Sequence, residues 1–304
     1  MIVALSGGIG GAKLAVGLAQ ALPAGRLTAV ANTGDDFEHL GLAISPDIDT
    51  LTYALADLDN SALGWGRRDE TWSFMETLAA LGGETWFRLG DRDLALHVER
   101  TRRLRAGQAL SDITVDIGRR LGARARVLPA TDNSVRTRLR TERGWMDFQP
   151  WFVGLRAAPR VAEVVFAGAE QARPLPAVLK AVERAEVIVI CPSNPFISID
   201  PMLAVPGLRA ALIGARAPVV AVSPIIGGRA VKGPTAKMMA ELGLEVSARA
   251  VAERYGDLLD VFVADEADAG ALDGLACRVV LAPTLMRTNA DKLALARIVL
   301  DAAR

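Results

Sequence analysis

Apolar and polar positions follow two alternating patterns along the chain. A short apolar run at residues 2–5 is followed by a cluster of glycines, and then Leu14, Leu18 and Leu22 recur at every fourth residue, the spacing of one helix face. A second apolar run covers residues 27–31. Strand, loop, helix and strand within about thirty residues form a βαβ unit, which predicts two parallel strands joined by a right-handed crossover.

The second half of the chain repeats this alternation. Apolar runs typical of buried strands lie at residues 161–166, 187–191, 219–223, 261–264 and 279–282. Amphipathic stretches that predict helices lie at residues 175–184, 235–242 and 291–304. Strands that are apolar throughout and alternate with helices are typical of a parallel sheet buried on both sides. We therefore predict an α/β protein whose mostly parallel sheet carries helices on both faces.

The block between residues 49 and 126 differs from both flanks. It has helical periodicity and few clusters of β-branched residues, and its predicted helices lie at residues 71–81, 94–105 and 115–121. We interpret residues 1–304 as a single domain that carries a mainly helical insertion at about residues 50–130.

Composition excludes several classes of protein. The 304 residues carry 35 basic and 35 acidic side chains, whereas a general nucleic-acid binder has an excess of positive charge. Hydrophobic residues make up 51%, too many for a disordered chain. No apolar stretch is long enough to span a membrane, and the first residues lack the features of a secretory signal. Because Cys191 and Cys277 are isolated, as in a reducing compartment, we expect a cytoplasmic protein without nucleic-acid or membrane partners.

Four glycines stand before the first predicted helix: Gly7, Gly8, Gly10 and Gly11. Bare backbone N–H groups at a helix N-terminus attract phosphate, so we predict a phosphate or nucleotide contact here. The segment is not a P-loop, because Ala12-Lys13-Leu14 stands where Gly-Lys-Ser/Thr is required. The dinucleotide pattern is also incomplete, which disfavours NAD. The alternative interpretation is a tight turn in which glycine serves packing alone.

Polar or glycine-rich loops also follow two later strands. Ser193 and Asn194 follow the run at residues 187–191, and Ser223, Gly227 and Gly228 belong to the loop after the next run. Because the carboxyl ends of parallel strands meet at one edge of a sheet, we predict that these loops form one composite binding site. The alternative is that they are ordinary turns, for which these residue types are common.

Two acidic segments, NTGDD and PDIDT, suit a hard cation. Carboxylates near a diphosphate hold Mg²⁺ well, so we predict that Asp35 and Asp49 bind the metal or the ligand. Zinc is disfavoured because the chain has only two histidines and no cysteine cluster. The alternative is helix capping, for which Asp47 is suitably placed. We expect Asp49 to face solvent at the sheet edge, so that alanine there leaves the fold intact.

The segment LGDRD of the insertion has two interpretations. Arg88 and Arg92, near Asp91 and Asp93, can orient an anionic or heteroaromatic ligand, or the two acids can simply cap a helix. His97 is interpreted as an isolated structural histidine, either at the surface or buried, and not as a catalytic base.

Five long segments resemble one protein family. They are SGGIGGAKLAVGL, ANTGDDFEHLGLAISPDIDTLTYAL, ETWFRLGDRDLALHVERTRRLRAGQALSDIT, ICPSNPFISIDPML and VVAVSPIIGGRAVKGP, and they run in order through nearly the whole chain. These segments are similar to the CofD family, the 2-phospho-L-lactate transferases of coenzyme F-420 biosynthesis. The resemblance implies a Rossmann-like homodimer that requires Mg²⁺. It implies the transfer of a phospholactyl-type group from a guanosine-diphosphate-linked donor to the deazaflavin Fo, with release of GMP.

The resemblance also implies roles for individual residues in donor binding. The glycines at 7–11 and Lys13 would cradle the donor phosphates. Ser193, Asn194 and the loop at residues 223–228 would complete the nucleotide pocket.

A second set of residues is implied for the acceptor. Asp35 and Asp49 would hold Mg²⁺ or position the Fo hydroxyl, and Asp49 is the candidate general base. Asp49 and Arg88 match family positions that contact Fo, and Arg92 stands beside them.

Two questions stay open at this level. The transferred acid can be lactyl, enolpyruvyl or glyceryl, because one or two pocket side chains decide between them. A sister group of CofD-like regulatory proteins, which bind nucleotide sugars without transfer chemistry, shares the glycine loop and the acidic segment. The segment LGDRDLA favours the transferase, because it belongs to the wall expected for Fo.

Overall fold

The structure, a computed structural model, describes residues 1–60 and 63–304. Fourteen strands lie in this part of the chain: β1 (Ile2–Ser6), β2 (Leu27–Ala31), β3 (Phe37–His39), β4 (Leu42–Ile44), β5 (Arg126–Pro129), β6 (Arg136–Thr141), β7 (Gly144–Asp147), β8 (Val161–Ala167), β9 (Val187–Ile190), β10 (Val219–Val222), β11 (Ile225–Ile226), β12 (Arg229–Ala230), β13 (Val261–Ala264) and β14 (Arg278–Leu281). The α-helices of the same residues are α1 (Gly8–Ala21), α2 (Pro46–Leu55), α3 (Ser73–Ala80), α4 (Asp91–Arg105), α5 (Leu110–Arg120), α6 (Pro176–Glu183), α7 (Asp200–Leu203), α8 (Leu208–Ile213), α9 (Thr235–Glu241), α10 (Ala248–Tyr255) and α11 (Asn289–Ala302).

Seven strands form the central sheet, and each neighbouring pair is parallel. Their order is β14-β13-β10-β9-β1-β2-β5. Read from β5, this order begins as the doubly wound Rossmann arrangement, which confirms the predicted α/β class. The order reverses between β1 and β9, and ligands of such sheets bind beyond the carboxyl ends of the strands at that point.

Both faces of the central sheet are buried by helices. Along β1, Val3 and Leu5 belong to one core cluster, whereas Ile2 and Ala4 belong to the other. Helices α1, α2 and α11 contribute to the second cluster, and α6, α8, α9 and α10 contribute to the first. Because alternate side chains of a strand point to opposite faces, burial on both sides requires strands that are apolar throughout.

The apolar run at residues 161–166 is a strand, but its predicted place in the parallel sheet is wrong. β8 pairs antiparallel with β6 in a separate sheet of order β7-β6-β8. Most of its side chains are half-buried or exposed, and Glu163 accepts a 2.7 Å hydrogen bond from Arg140 at the surface. An apolar run indicates burial but not the direction of a partner strand, so the sequence did not distinguish this strand from the others.

The three helices predicted in the middle block correspond to α3, α4 and α5, with boundaries that differ by a few residues. The sequence did not predict β5, which pairs with β2 at the edge of the central sheet. β5 has only two consecutive apolar side chains, Val127 and Leu128, between Arg126 and Pro129, so it lacks the longer apolar run of the predicted central strands. The extent of the insertion stays a prediction. Within residues 1–60 and 63–304, no helix combines the length and the apolar character that crossing a membrane requires.

The glycines were predicted to precede the first helix. In the structure α1 begins at Gly8, because Gly8, Gly10 and Gly11 form its first turn. A Cβ atom on Gly10 would lie 2.5 Å from the carbonyl oxygen of Pro192, and one on Gly11 would lie 2.5 Å from Ser193 Oγ. Glycine therefore allows the start of α1 to approach the loop after β9 at the point where the strand order reverses.

This close approach makes replacement of Gly10 costly. We expect Gly10→Ala to lower the free energy of unfolding by about 1–3 kcal/mol, because the new methyl group meets a backbone carbonyl. Gly118→Ala in α5 is the matched control: its Cβ would meet Ala123 Cβ at 3.8 Å, an ordinary contact. Helix propensity alone then predicts a stabilisation of up to about 1 kcal/mol for Gly118→Ala. Urea denaturation measures both values, and a neutral Gly10→Ala would contradict the close contact.

Candidate active site

One cavity of about 610 Å³ opens beyond the carboxyl ends of β1, β9 and β10. Its volume lies within the range of sites for small molecules and cofactors. Ten residues predicted from the sequence line it: Gly7, Gly8, Gly10, Lys13, Asp35, Asp49, Arg88, Ser193, Asn194 and Ser223. The structure therefore brings the loops after four central strands, β1, β2, β9 and β10, together at one site.

Four other predicted residues lie outside the cavity wall. Gly11 packs against Ser193, and Arg92 is exposed at the start of α4. Gly227 and Gly228 form the two-residue turn between β11 and β12, with φ of +53° and +72°. Two successive positive φ values favour glycine, so the turn itself explains both residues.

The N-terminus of α1 faces the cavity and already holds one carboxylate. The N–H of Gly7 donates to Ser193 Oγ at 3.1 Å, and the N–H of Gly8 donates to Asp47 Oδ1 at 2.6 Å. Among the described residues, no side chain accepts from the N–H groups of Ile9 and Gly10, which also line the cavity. Because the first N–H groups of a helix lack partners within the helix and carry positive potential, this end of α1 suits an anion.

Asp35 and Asp47 form a buried acidic pair on the cavity wall. Asn32 Nδ2 lies between them and donates to Asp35 Oδ1 at 3.0 Å and to Asp47 Oδ2 at 2.9 Å. Burial and the neighbouring Asp47 raise the pKa of Asp35 well above its usual range, and burial raises the pKa of Asp47 to about 6. Neither acid has a salt bridge within residues 1–60 and 63–304, so a cation would stabilise the ionised pair. The sequence offered Asp47 only as a helix cap, and the structure shows that it caps α1.

The buried acids predict an unusual dependence of stability on pH. Burial also raises the pKa of Asp36 to about 7, and its Oδ1 has no hydrogen-bond partner among the described residues. The usual pKa of Asp is 3.8. Between that pH and about pH 7, the folded protein holds protons that the unfolded chain has released. The contribution of these acids to stability is therefore present at low pH and is lost as the pH rises.

We expect the melting temperature of the metal-free protein to fall as the pH rises from about 5 to about 8. Mg²⁺ should raise it more at the upper end, because an ionised pair binds a cation better than a protonated pair. Asp36→Asn removes one carboxyl group that has a raised pKa and lies outside the cavity. Without metal, the melting temperature of this variant should therefore depend less on pH, and its response to Mg²⁺ should be kept. A melting temperature that rises over this range in the wild type and not in the variant would contradict the assignment.

The prediction that Asp49 faces solvent at the edge of the sheet is wrong. Asp49 lies in α2 and is 6% exposed, and its two carboxylate oxygens pair with the guanidinium of Arg100. The hydrogen bond from Arg100 Nη1 to Asp49 Oδ2 is 3.0 Å long. The position was misjudged because α2 begins at Pro46 and turns the carboxylate toward α4, a contact between elements that are distant in sequence.

His97 is buried but not isolated. It lies on α4 and lines the cavity, with Nδ1 at 3.7 Å from Asp49 Oδ2 and Nε2 at 3.2 Å from Asp93 Oδ2. The sequence contains one signal for this group, because Asp93, His97 and Arg100 recur at the spacing of one helix face. The interpretation of His97 as an isolated residue overlooked that spacing.

Basic side chains face the same cavity. Lys13 Nζ donates to the carbonyl oxygen of Met286 at 2.7 Å, which holds the side chain along the wall. Burial lowers the pKa of Lys13, and the nearby charges of Lys232 and Lys292 lower it further. Since Lys232 also lines the cavity, a bound phosphate would relieve the repulsion between these ammonium groups.

Aromatic side chains form another part of the cavity wall. Phe148 and Phe152 stack with ring centroids 5.2 Å apart, and Trp86 and Phe87 contribute further lining rings. Arg88 lies with its guanidinium carbon 4.1 Å from the ring centroid of Trp72. Flat apolar walls of this kind suit a planar heteroaromatic ligand.

The acidic residues of the segment LGDRD serve the local fold. Asp91 accepts from the N–H groups of Ser73 and Phe74 at 3.1 Å each and so caps α3. Asp93 accepts from Tyr53 OH at 2.5 Å. Asp91 therefore caps α3 and not α4, in whose own first turn it lies, whereas Asp93 and Arg88 line the cavity.

Known proteins resemble this chain over nearly its whole length. A family model described as "2-phospho-L-lactate transferase CofD" matches residues 2–276. A protein of Streptomyces griseus named "Phosphoenolpyruvate transferase" is 45% identical over 314 residues, covering 99% of this chain and 98% of that protein. A protein of Methanosarcina mazei named "2-phospho-L-lactate transferase" is 42% identical, covering 99% of this chain and 100% of that protein. The solved structure of a UPF0052 family protein from Bacillus halodurans shares the fold, with a TM-score of 0.64 at 17% identity and 98% coverage of both chains.

Proposed function

This chain belongs to the 2-phospho-L-lactate transferase CofD family, and from that premise we propose that it transfers a phospholactyl-type group to the deazaflavin Fo. The family and the names of its relatives support a transferase of coenzyme F-420 biosynthesis. In the proposed reaction the donor is linked to guanosine diphosphate and the leaving group is GMP. The transferred acid is lactyl, enolpyruvyl or glyceryl.

One observation carries the proposal: a single cavity joins groups suited to a diphosphate with groups suited to a flat heterocycle. The N-terminus of α1 and Lys13 supply positive potential for the donor phosphates. Phe148 and Phe152 supply an apolar wall for the deazaflavin ring. An acceptor and a donor bound in one cavity can react directly, without a covalent enzyme intermediate.

The proposed chemistry is the attack of an alcohol on phosphorus. The Fo hydroxyl oxygen forms a bond to the phosphorus that carries the acid, and the bond from that phosphorus to the bridging oxygen breaks. GMP leaves with the bridging oxygen, and the hydroxyl proton passes to a carboxylate or to solvent. The chain contributes mostly by placing the two reactants and by stabilising the charge that develops on the phosphates.

Asp35 and Asp47 fit a Mg²⁺ ion better than the pair Asp35 and Asp49 proposed from the sequence. Arg100 already neutralises the charge of Asp49, whereas Asp35 and Asp47 are buried and have no salt bridge in the described part of the chain. Carboxylate oxygens are preferred ligands of Mg²⁺, which when bound would neutralise charge on the diphosphate. In this assignment Asp49 positions the Fo hydroxyl and is the candidate proton acceptor.

A competition assay tests the proposed function. Purified protein receives Fo and the lactyl, enolpyruvyl and glyceryl donors together, and mass spectrometry identifies the product. We expect one Fo adduct to dominate, with GMP released in equal amount and with both products lost when the metal is chelated. Nucleotide binding without any adduct would overturn the transferase and favour a CofD-like regulatory protein.

We further propose from the family resemblance that the protein acts in the cytoplasm as a homodimer. Sedimentation of the purified protein tests the oligomeric state, and a single monomeric species at working concentration would refute it.

A further inference from the structure

Five polar side chains form a continuous network at the cavity wall: Asp49, Arg100, His97, Asp93 and Tyr53. Arg100 Nη1 bonds Asp49 and also lies 3.4 Å from His97 Nδ1. His97 Nε2 lies near Asp93, which accepts from Tyr53 OH on its other oxygen. Four of the five line the cavity, and Arg100 lies behind them.

Arg100 forms a buried ion pair with Asp49. Its side chain is 2% exposed, and burial of a cation is unfavourable unless a partner compensates it. Asp49 provides that partner through both oxygens, so the planar fork of the guanidinium fixes the plane of the carboxylate as well as its place. A lysine at the same position would supply the charge but not the fork.

His97 restrains Arg100 from the other side. For Nδ1 to accept from Arg100, the ring proton must be on Nε2, which lies 3.2 Å from Asp93 Oδ2 without forming a well-aligned hydrogen bond. Although burial opposes ionisation of Asp93, the nearby His97 ring and the hydrogen bond from Tyr53 hold its pKa below the usual range. An ionised Asp93 keeps this tautomer of His97 in place.

We propose that Arg100 is a positioning residue of the transfer reaction. It holds the Asp49 carboxylate in one orientation at the cavity wall, where the acceptor hydroxyl binds, and His97 and Asp93 hold Arg100 in turn. The inference rests on the proposed function, because the reaction supplies the hydroxyl that Asp49 orients.

The same residues could instead be a metal site. The ligand-type atoms of Asp49, Asp93 and His97 all lie within 4.8 Å of one another. A cation there would face the guanidinium that already neutralises Asp49, and it would compete with Arg100 for Asp49 and His97. The hydrogen bonds account for Asp49, Asp93 and both Nη atoms of Arg100 without a cation, whereas His97 Nε2 and Arg100 Nε have no hydrogen-bond partner among the described residues.

Arg100→Lys in the full chain is the main test. We expect kcat to fall about 100-fold and the KM for Fo to rise, because a small misplacement of a positioning group costs about this factor. Affinity for the guanosine nucleotide and the melting temperature should stay close to wild type. In Arg100→Ala, added guanidinium chloride should restore part of the activity, whereas sodium chloride at the same concentration should not.

Arg103→Lys is the matched control. Arg103 lies on the same helix and pairs with Asp116 at 2.8 Å, but neither residue lines the cavity. We expect its kcat to stay within about twofold of wild type, because a partly exposed ion pair contributes little.

Two results would overturn the proposal. One is a wild-type kcat in Arg100→Lys, and the other is an activity loss in Arg100→Ala that equals the loss of folded protein and does not respond to guanidinium. If Arg100→Ala does not fold, Arg100→Lys alone decides.

A wild type that binds Fo but transfers nothing refutes the proposed function separately. Fluorescence titration with Fo then decides the role of Arg100. Weaker binding by Arg100→Lys than by Arg103→Lys supports positioning of the acceptor site, and equal binding overturns it.

Discussion

Asp49→Ala is expected to abolish transfer and to lower the free energy of unfolding by about 3–5 kcal/mol. The change leaves the guanidinium of Arg100 buried without its carboxylate partner, at a site that is 2% exposed. For a domain of this size, such a loss lowers the melting temperature by on the order of 10 °C. Thermal denaturation and the transfer assay on the same preparation measure the two effects.

A paired variant separates stability from catalysis. Asp49→Leu combined with Arg100→Met replaces the ion pair by apolar groups, and such replacements of buried pairs are often neutral for stability. We expect the double variant to melt near the wild type and still to transfer nothing. Turnover in the double variant would refute a role for Asp49 in the reaction, and a single variant that melts normally would refute the buried pair.

Asp47→Asn should act in opposite directions on stability and activity. The change removes one of two buried negative charges that repel each other, so the metal-free protein should melt at a higher temperature near pH 8. The same change removes a proposed Mg²⁺ ligand, so transfer should fall by about 100-fold or more. Asparagine keeps the oxygen that accepts from the N–H of Gly8, so α1 stays capped, although its amide nitrogen replaces the oxygen that accepts from Asn32 and offsets part of the gain.

Asp132→Asn is the control for this prediction. Asp132 accepts from Ser111 at 2.7 Å through the backbone N–H, lies outside the cavity and is exposed. We expect no stabilisation and full activity. Calorimetric titration with Mg²⁺ completes the comparison, and wild-type metal affinity in Asp47→Asn would remove Asp47 from the site.

The central sheet was predictable because it is buried on both faces. Residues 187–191 and 261–264 are apolar at every position, and the structure has β9 and β13 there. β6 was missed because it alternates basic and polar residues around a single leucine, and β5 because Arg126 and Pro129 flank only two apolar residues. Hydrophobicity identifies what is buried, whereas the pairing of β8 with β6 depends on contacts that a one-dimensional pattern does not contain.

The sequence predicted those site residues that come directly after a strand of the central sheet. Gly7, Ser193 and Ser223 come just after β1, β9 and β10, and the ends of parallel strands meet by geometry. Arg100 was missed because it reaches Asp49 from another helix, across 51 positions of the chain. The function of a buried arginine depends on which carboxylate it meets, and only the packing of α4 against α2 settles that.

The bond between Lys13 and Met286 has a consequence for how the protein is made. It joins residues 273 positions apart, and α11 packs directly on α1. A nascent chain that has left the ribosome only as far as β9 therefore contains α1 but lacks Met286 and α11, which pack against it. Contacts of such long range form slowly, so the incomplete chain exposes apolar surface for a correspondingly long time. The cavity wall is therefore complete only when residues close to the end of the chain, Met286 among them, have been synthesised.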